Sequence, residues 1–352
     1  MKTQKLEEVP DLPAATAAEI LGRAAEAQGT DQRVTDRIAN VQDLLADDLR
    51  WIESALSGAV DEGETPATLA ARHLVTRGGK RVRPMALMLS AACFGRVTPA
   101  VRELAVVSEL VHSATLLHDD VVDEGMERRG VATSRLAWGN AISVLGGDLL
   151  LTHALQRTQT HAPEIMPDLI TTLRRLVDGE IVQLRGRSEL DVSEATYERI
   201  LRDKTASLFA WSTRTGARLA GASLEDQERL AGFGERLGIA FQLVDDLLDY
   251  SGSNTGKTLL TDLREGKLTL PLVLAVARMP ELVQPLRRIY AGDGESVTLV
   301  SRAVVESGVC EEVRRRAEGH TRSAVEALSS VRPGPARVLL ESVAQQLAAR
   351  AA

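Results

Sequence analysis

The sequence predicts an all-α protein, and three observations lead to that prediction. Aromatic residues make up only 3% of the 352 residues, whereas alanine and leucine are abundant, a mixture that favours helices over strands. Apolar residues recur at spacings of three and four along most of the chain, as in IANVQDLLADDLRWIESAL. No run of short alternating strands is present. We therefore expect a single-domain bundle of roughly a dozen helices.

The helical pattern divides the chain into a short tail and one long domain. Residues 1–35 are rich in Ala, Glu and Pro, and we expect a flexible tail there. Residues 36–352 are predicted to form one all-helical domain. Its most regular helices are, in chain order, VRELAVVSELVHSATLLHDD, ISVLGGDLLLTHALQ, LITTLRRLVDGEIVQL and LAGFGERLGIAFQLVDDLLDY. The predicted turns are RGGKRVRP, FGRVTP, RRGVAT and SGSNTGKT.

Composition and charge argue against several classes of protein. The formal charge of −7 is unfavourable for a general nucleic-acid binder, so no nucleic acid is expected as a partner. Cys93 and Cys310 lie far apart without metal-site spacing, which indicates a reduced setting but leaves a disulfide open. The start lacks the apolar core of a signal peptide, and no apolar run is long enough for a membrane span. We expect a soluble, cytoplasmic protein.

Two aspartate-rich segments share one spacing. HDDVVDEGMERRG at 118–130 and FQLVDDLLDY at 241–250 both contain DDxxD. On a helix, the first and last aspartates of DDxxD lie on one face, about 6 Å apart along the axis. Mg²⁺ prefers oxygen ligands and is commonly held by one or two carboxylates together with substrate phosphates. Two such clusters predict a diphosphate held through Mg²⁺, with these ligands: Asp119, Asp120, Asp123, Asp245, Asp246 and Asp249.

Each cluster alone has a simpler explanation, a solvated acidic helix end. Basic residues near both clusters favour the metal and diphosphate interpretation. Lys80, Arg81 and Arg83 lie on a glycine-rich turn before a helix, where backbone and helix dipole favour an anion, although a solvated basic loop is the commoner explanation. Lys204, Lys257 and Lys267 occur in RDKTASLF and GKTLLTDLREGKLTLP.

Together these segments resemble the trans-type isoprenyl diphosphate synthases, also called polyprenyl synthetases, and among them the long-chain, octaprenyl-like members. The motifs occur in the family's order between residues 77 and 271: GGKRVRP, LLHDDVVDEGMERRG, GGDLLL, KTASLF, FQLVDDLLDY and GKTLLTDLREGKLTLP. The resemblance implies an isoprenoid synthase fold with a deep central cavity. It also implies a Mg²⁺-dependent transferase that joins isopentenyl diphosphate head-to-tail to an allylic prenyl diphosphate.

The resemblance also implies roles for individual residues. Asp119, Asp123 and Asp245 would bind Mg²⁺, with the other motif aspartates in support. The isopentenyl diphosphate site would comprise Lys80, Arg83, His112 and Arg129. The allylic diphosphate would contact Arg128, Lys204, Lys257 and Lys267.

The expected chemistry is ionisation of a C–O bond, which leaves pyrophosphate and an allylic cation. Mg²⁺ and fixed cations stabilise the developing anion. The carbonyls of Lys204 and Thr205 and the amide of Gln242 are the groups expected to stabilise the allylic cation. Pyrophosphate is expected to take the proton, so the protein needs no general base.

Product length is expected to depend on the helix before the first DDxxD. Val111, Ala114 and Thr115, with Ser108 further back, would line the path of the growing chain. Short-chain members of the family carry a bulky aromatic near Ala114 or Thr115, whereas both are small here. The pattern predicts a product longer than twenty carbons; alternatively, these small residues only let two helices pack closely.

Three other functions remain open: a short-chain farnesyl or geranylgeranyl diphosphate synthase, a terpene cyclase, and a non-catalytic partner subunit. A cyclase usually mixes Asn, Ser or Thr and Glu in its second metal motif, and a non-catalytic subunit usually loses motif aspartates. Neither change occurs in this sequence. By resemblance we also expect a homodimer, and we consider peripheral membrane contact for product release.

Overall fold

The computed structural model describes residues 32–60, 63–250 and 260–349. The described chain is almost entirely helical, which confirms the all-α prediction. Of the predicted tail, residues 1–35, the first 31 residues lie outside the described residues. Residues 32–35 belong to the first described helix, which begins at Gln32. None of the described helices combines the length and apolar character needed to span a membrane.

The first half of the domain contains the longest helices and a small hairpin. Its elements are α1 (Gln32–Gly58), α2 (Pro66–Val75), α3 (Val82–Ala92), α4 (Pro99–Val122), β1 (Glu127–Arg128), β2 (Val131–Ala132), α5 (Ser134–Trp138), α6 (Asn140–His161) and α7 (Met166–Glu189). A one-turn 3₁₀ helix, Pro163–Ile165, precedes α7.

The second half begins with a π-helical segment between two α-helices. Its elements are α8 (Glu194–Ile200), the π-segment (Leu201–Ala206), α9 (Ser207–Leu219), α10 (Leu224–Leu248), α11 (Thr261–Arg264), α12 (Leu270–Arg278), a 3₁₀ turn (Pro280–Leu282), α13 (Val283–Tyr290), α14 (Glu295–Glu306), α15 (Val309–Ala327) and α16 (Pro335–Ala349).

The start of α4 follows standard capping chemistry. Thr98 is the N-cap, its side chain accepts a hydrogen bond from the backbone N–H of Val101, and Pro99 occupies the first helical position. The helix ends at Val122, and its C-cap is Asp123, the last aspartate of the motif. Local sequence therefore fixes the start of the helix that carries the first acidic motif (Asp119, Asp120 and Asp123) at its other end.

The RRGVAT segment, expected as a simple turn, forms an antiparallel hairpin. Glu127 pairs with Ala132, and Arg128 pairs with Val131. Arg129 and Gly130 connect the strands with φ of 55° and 78°. Two consecutive positive φ angles match a two-residue type I′ turn, the connection that suits the twist of paired strands. The hairpin places Arg128 against Asp120 of the first acidic motif and Arg129 against the carbonyls of Leu74 and Gly78.

Helix α10 links the two hydrophobic cores of the domain. Phe233 and Leu237 pack in the core formed mainly by α1–α4, α6 and α9. Leu243 and Leu247, further along α10, pack in a second core with α8 and α12–α15. Burial in two cores holds α10 rigidly, and its C-terminal end carries the second acidic motif (Asp245, Asp246 and Asp249).

Candidate active site

A cavity of about 660 Å³ lies among the turn before α3, α4, the hairpin, α7, the π-segment and α10. We call it the central cavity. It brings together most residues predicted to act on substrate, from both halves of the sequence. The predicted site residues that line it are Lys80, Arg83, His112, Thr115, Asp119, Arg128, Arg129, Lys204, Thr205, Gln242 and Asp245.

Every aspartate of the first acidic motif is paired with a basic side chain. Asp119 Oδ2 lies 3.3 Å from Lys204 Nζ, and Asp123 Oδ2 lies 3.1 Å from Lys267 Nζ. Asp120 Oδ1 accepts two hydrogen bonds from Arg128, at 2.6 and 3.0 Å. These cations neutralise the like charges of the motif.

The second acidic motif has different surroundings, and only Asp245 lines the central cavity. Asp246 is buried and accepts hydrogen bonds from the Tyr197 hydroxyl at 2.8 Å, the Gln242 amide at 3.0 Å and the Leu270 N–H at 2.9 Å. Burial raises the pKa of Asp246 to about 7, and these hydrogen bonds counteract part of the rise.

Asp249 is also buried, and its Oδ1 accepts a hydrogen bond from the Asp262 N–H at 3.3 Å. The motif spacing placed all six aspartates at the metal site, and the family resemblance gave Asp120, Asp246 and Asp249 a supporting role there. In the structure, these three hold a neighbouring arginine or backbone group in place. Three aspartates therefore remain as candidate direct ligands: Asp119, Asp123 and Asp245.

The donor chemistry of these three carboxylates suits a hard divalent cation, which prefers oxygen ligands. Among the described residues, no group of three or more His, Cys, Asp or Glu side chains converges closely enough to hold a metal ion. Instead, Lys204 and Lys267 lie against two of the carboxylates. The residues fit a metal site. In this arrangement, lysines neutralise two of its three carboxylates.

The predicted isopentenyl diphosphate residues form a cationic cluster on one wall. The Arg83 guanidinium lies 4.4 Å from the centre of the Phe209 ring, and Lys80 Nζ lies 5.3 Å from that of Phe241. Burial lowers the pKa of Arg83 to about 10, partly offset by Glu109, so the guanidinium remains charged at neutral pH. Burial and the nearby arginines hold the pKa of His112 well below its usual value, so this imidazole is neutral.

The π-segment places Lys204 and Thr205 opposite α10. The Thr205 hydroxyl donates to Gln242 Oε1 at 3.2 Å, which connects two of the three residues predicted to stabilise the allylic cation. Gly179 of α7 permits this arrangement, because a Cβ there would lie 2.7 Å from the Lys204 nitrogen. Single turns of π-helix occur frequently at functional sites, and the sequence pattern did not reveal this one.

Glu180 was missed by the sequence analysis. Its carboxylate pairs with Lys204, and it lines the central cavity beside Asp119. Burial raises the pKa of Glu180, while the Lys204 ammonium opposes that rise. A single glutamate on a regular amphipathic helix gives no signal in the sequence, apart from the preceding Gly179.

Of the two lysines in the GKTLLTDLREGKLTLP segment, the structure describes only Lys267. Lys257 lies outside the described residues, so its predicted role stays a prediction. Lys267 is described, and besides Asp123 it lies 2.7 Å from Glu265 and 3.9 Å from Asp262. The surrounding carboxylates raise its pKa in spite of burial.

The predicted chain-length residues do not all face the central cavity. Thr115 lines it, together with Leu116 and Leu176. Ala114 and Val111 have no exposed surface and pack in the first hydrophobic core. Each residue advances about 100° around a helix, so Ala114 lies on the far side of α4 from Leu116 and Asp119.

A family model described as polyprenyl synthetase matches residues 65–307. The chain belongs to the polyprenyl synthetase family. It is 36% identical over 313 residues to an octaprenyl diphosphate synthase of Escherichia coli, covering 87% of this chain and 97% of the relative.

Solved structures of related proteins have the same fold. A polyprenyl synthase from Caulobacter crescentus, crystallised with calcium and isoprenyl diphosphate, superposes with a TM-score of 0.83 at 33% identity. A decaprenyl diphosphate synthase from Rhodobacter capsulatus superposes with a TM-score of 0.82 at 35% identity. Each alignment covers 89% of this chain and 98% of the other. The predicted family and fold are therefore confirmed.

Proposed function

We propose that this polyprenyl synthetase condenses isopentenyl diphosphate head-to-tail with an allylic prenyl diphosphate, giving a linear trans-polyprenyl diphosphate. One observation carries the proposal. A single cavity has a cationic wall at Lys80, Arg83 and Arg129, while Asp119, Asp245 and Lys204 line the same cavity. Such a cavity suits two diphosphates, one held by fixed cations and one held through a metal ion.

Asp119, Asp123 and Asp245 are the residues that would hold Mg²⁺, the predicted cofactor. When bound, Mg²⁺ would supply positive charge to the leaving diphosphate. Lys204 and Arg128 line the cavity near these carboxylates and would orient the allylic diphosphate. The chain's own cations thus contribute to stabilising the anion that develops when the C–O bond breaks.

The remaining steps require little proton transfer by the protein. The allylic cation would face the π-segment carbonyls and the Thr205–Gln242 pair. The double bond of isopentenyl diphosphate forms the new C–C bond. One proton then leaves the isopentenyl carbon skeleton, with the released pyrophosphate as acceptor. The neutral His112 would serve as a hydrogen-bonding contact for isopentenyl diphosphate.

We further propose a product longer than twenty carbons. No Phe, Tyr or Trp occurs between Val97 and Asp123, and the cavity wall beside Asp119 carries Thr115, a small residue. The octaprenyl and decaprenyl names of the two relatives described above support the same product class.

A homodimer is the assembly that we propose. Helices α6 and α7 expose a set of large apolar side chains that a single copy leaves in water. They are Val144, Leu145, Ile170, Val177, Ile181 and Leu184. Sedimentation that shows only monomer at micromolar concentration would contradict the dimer. A cytoplasmic location and membrane contact during product release stay predictions.

The activity test is incubation of purified protein with Mg²⁺, farnesyl diphosphate and labelled isopentenyl diphosphate. Elongated linear products, identified by chromatography after dephosphorylation, are expected. A cyclic hydrocarbon would indicate a terpene cyclase, and the absence of any product would indicate a non-catalytic subunit. Products of fifteen or twenty carbons would restrict the protein to short-chain synthesis.

The division between the two substrates can be tested separately. Arg83→Ala should raise the KM for isopentenyl diphosphate more than the KM for the allylic substrate. Lys257→Ala should do the reverse. Equal effects on both substrates in both variants would contradict the division.

A further inference from the structure

Arg81 lies among the basic residues of the GGKRVRP segment, but its guanidinium is hydrogen-bonded to two carboxylates. It is only 2% exposed. Its Nε and one terminal nitrogen donate to the two carboxylate oxygens of Glu53 on α1, at 2.7 and 2.9 Å. Its other terminal nitrogen donates to Glu109 of α4 at 2.6 Å. A guanidinium bound in this way is not available to an incoming anion.

The backbone of Arg81 shows what this buried ion pair maintains. Arg81 is the N-cap of α3 and has φ of 45° and ψ of 30°, the left-handed region that non-glycine residues seldom adopt. Lys80 and Arg83, on either side, line the central cavity. The Arg81 side chain therefore holds the turn in a conformation that presents its two neighbours to the cavity.

Glu109 connects the same ion pair to the hairpin. A Cβ on Gly79 would lie 3.1 Å from an Arg129 nitrogen, 3.2 Å from an Arg81 nitrogen and 3.3 Å from Glu109 Oε1. All three side chains thus meet at the backbone of the glycine turn. Arg129 also donates to the carbonyls of Leu74 and Gly78.

We propose that Glu53, acting through Arg81, is a positioning residue for the isopentenyl diphosphate site; this rests on the function proposed above. Glu53 is not among the residues that line the central cavity. Its bidentate pairing engages the guanidinium of Arg81, which itself borders the cavity, and keeps Lys80, Arg83 and Arg129 arranged as a diphosphate site. None of the described side chains of helix α1 lines the central cavity, yet through Glu53 this helix influences the affinity for one substrate.

The test is replacement of Glu53 with calorimetric titration of isopentenyl diphosphate alone, followed by steady-state kinetics. Glu53→Ala should weaken isopentenyl diphosphate binding about tenfold, because displaced orienting groups cost affinity even at a distance. The KM for the allylic substrate should change by less than about twofold, since that site is supported by other residues. Glu53→Gln keeps the shape and one acceptor and should restore part of the affinity.

Asp48→Ala is the matched control. Asp48 also lies on α1 and also pairs with an arginine of α4, Arg102, but neither residue lines the central cavity. This variant should lower the melting temperature without weakening isopentenyl diphosphate binding. If Asp48→Ala weakened isopentenyl diphosphate binding equally, Glu53 would act only by holding helix α1 against the domain.

A double variant tests the route through Arg81. In an Arg81→Met background, Glu53→Ala should have little further effect on binding. If the wild-type protein does not bind isopentenyl diphosphate, the proposed function itself fails. If the wild type binds and both Glu53 variants bind equally well or more tightly, only the positioning role fails.

Discussion

In the first acidic motif each aspartate is paired with a basic side chain, whereas in the second the buried Asp246 is hydrogen-bonded to neutral groups. Asp119, Asp120 and Asp123 face Lys204, Arg128 and Lys267. Asp246 accepts hydrogen bonds from a phenol, an amide and the first N–H of α12. The spacing is the same, but the partners differ.

This difference shows that a repeated motif need not have a repeated role. Ion pairs near a cavity can exchange partners when a metal ion and a diphosphate arrive, because both new partners carry charge. Hydrogen bonds inside a core cannot be exchanged without leaving buried donors unsatisfied. We infer that Asp119, Asp123 and Asp245 serve substrate binding, and that Asp246 serves the structure around them.

The largest effect is expected from the cavity-lining aspartates. Asp119→Ala or Asp245→Ala should lower turnover by about three orders of magnitude or more, because diphosphate ionisation depends on metal charge. Circular dichroism should show an unchanged helix content. Steady-state kinetics at saturating Mg²⁺ is the measurement.

Glu124→Ala is the control for these variants. Glu124 is exposed and directly follows the first motif, so its loss removes one negative charge without removing a proposed ligand. It should retain near-normal turnover. A rate close to that of the wild type in Asp119→Ala would refute the assigned metal site.

Asp246, a buried aspartate of the second motif, should contribute more to stability than Asp119 does. Asp246→Ala removes the acceptor for Tyr197, Gln242 and the Leu270 N–H, and should lower the free energy of unfolding by about 2–4 kcal/mol. Asp119→Ala should change it by less than about 1 kcal/mol, because partly exposed ion pairs contribute little. Urea denaturation compares the two variants. Similar losses of stability in both would remove the distinction between the motifs.

The sequence predicted which residues lie close together, but it did not show which neighbours each of them binds. Regular helix periodicity and the order of motifs were sufficient for the all-α fold and for most charged residues of the cavity lining, although Glu180 was missed and Ala114 and Val111 lie in the core instead. The spacing of DDxxD alone does not distinguish Asp245 from Asp246. The family resemblance assigned them different roles, but the physical difference arises from Tyr197 and Leu270, which are distant in the sequence. Arg81 likewise resembles its basic neighbours until Glu53 and Glu109 are seen beside it.

A smaller effect is expected from the cation beside Asp123. Lys267→Met leaves Asp123, which is 8% exposed, without its ammonium partner, and should cost about 1–3 kcal/mol of stability. Mg²⁺ should recover more of the melting temperature in this variant than it adds to the wild type, because the carboxylate is free to bind the ion. Thermal unfolding with and without Mg²⁺ gives both values. An equal Mg²⁺ shift in the two proteins would contradict exchange between lysine and metal.

The smallest change in rate is expected for a substitution one helical turn before the first motif. Such a substitution should mainly change the product length. Thr115 lines the cavity, whereas Ala114 lies within the core on the far side of α4. Thr115→Phe should therefore shorten the product while the first condensations continue. Ala114→Phe should act less directly on length and should lower stability, because overpacking a core costs about 1–3 kcal/mol.

The second motif supplies the comparison for this test. Phe241 stands four residues before Asp245, as Thr115 stands four residues before Asp119, and Phe241 also lines the cavity. If bulk anywhere on the wall limits growth, Phe241→Ala should lengthen the product as clearly as Thr115→Phe shortens it. If the chain grows only along α4, Phe241→Ala should leave the length unchanged and should instead affect the Lys80 contact above its ring. Chromatography of dephosphorylated products separates these outcomes, and an unchanged length in Thr115→Phe would show that the growing chain does not pass along this face of α4.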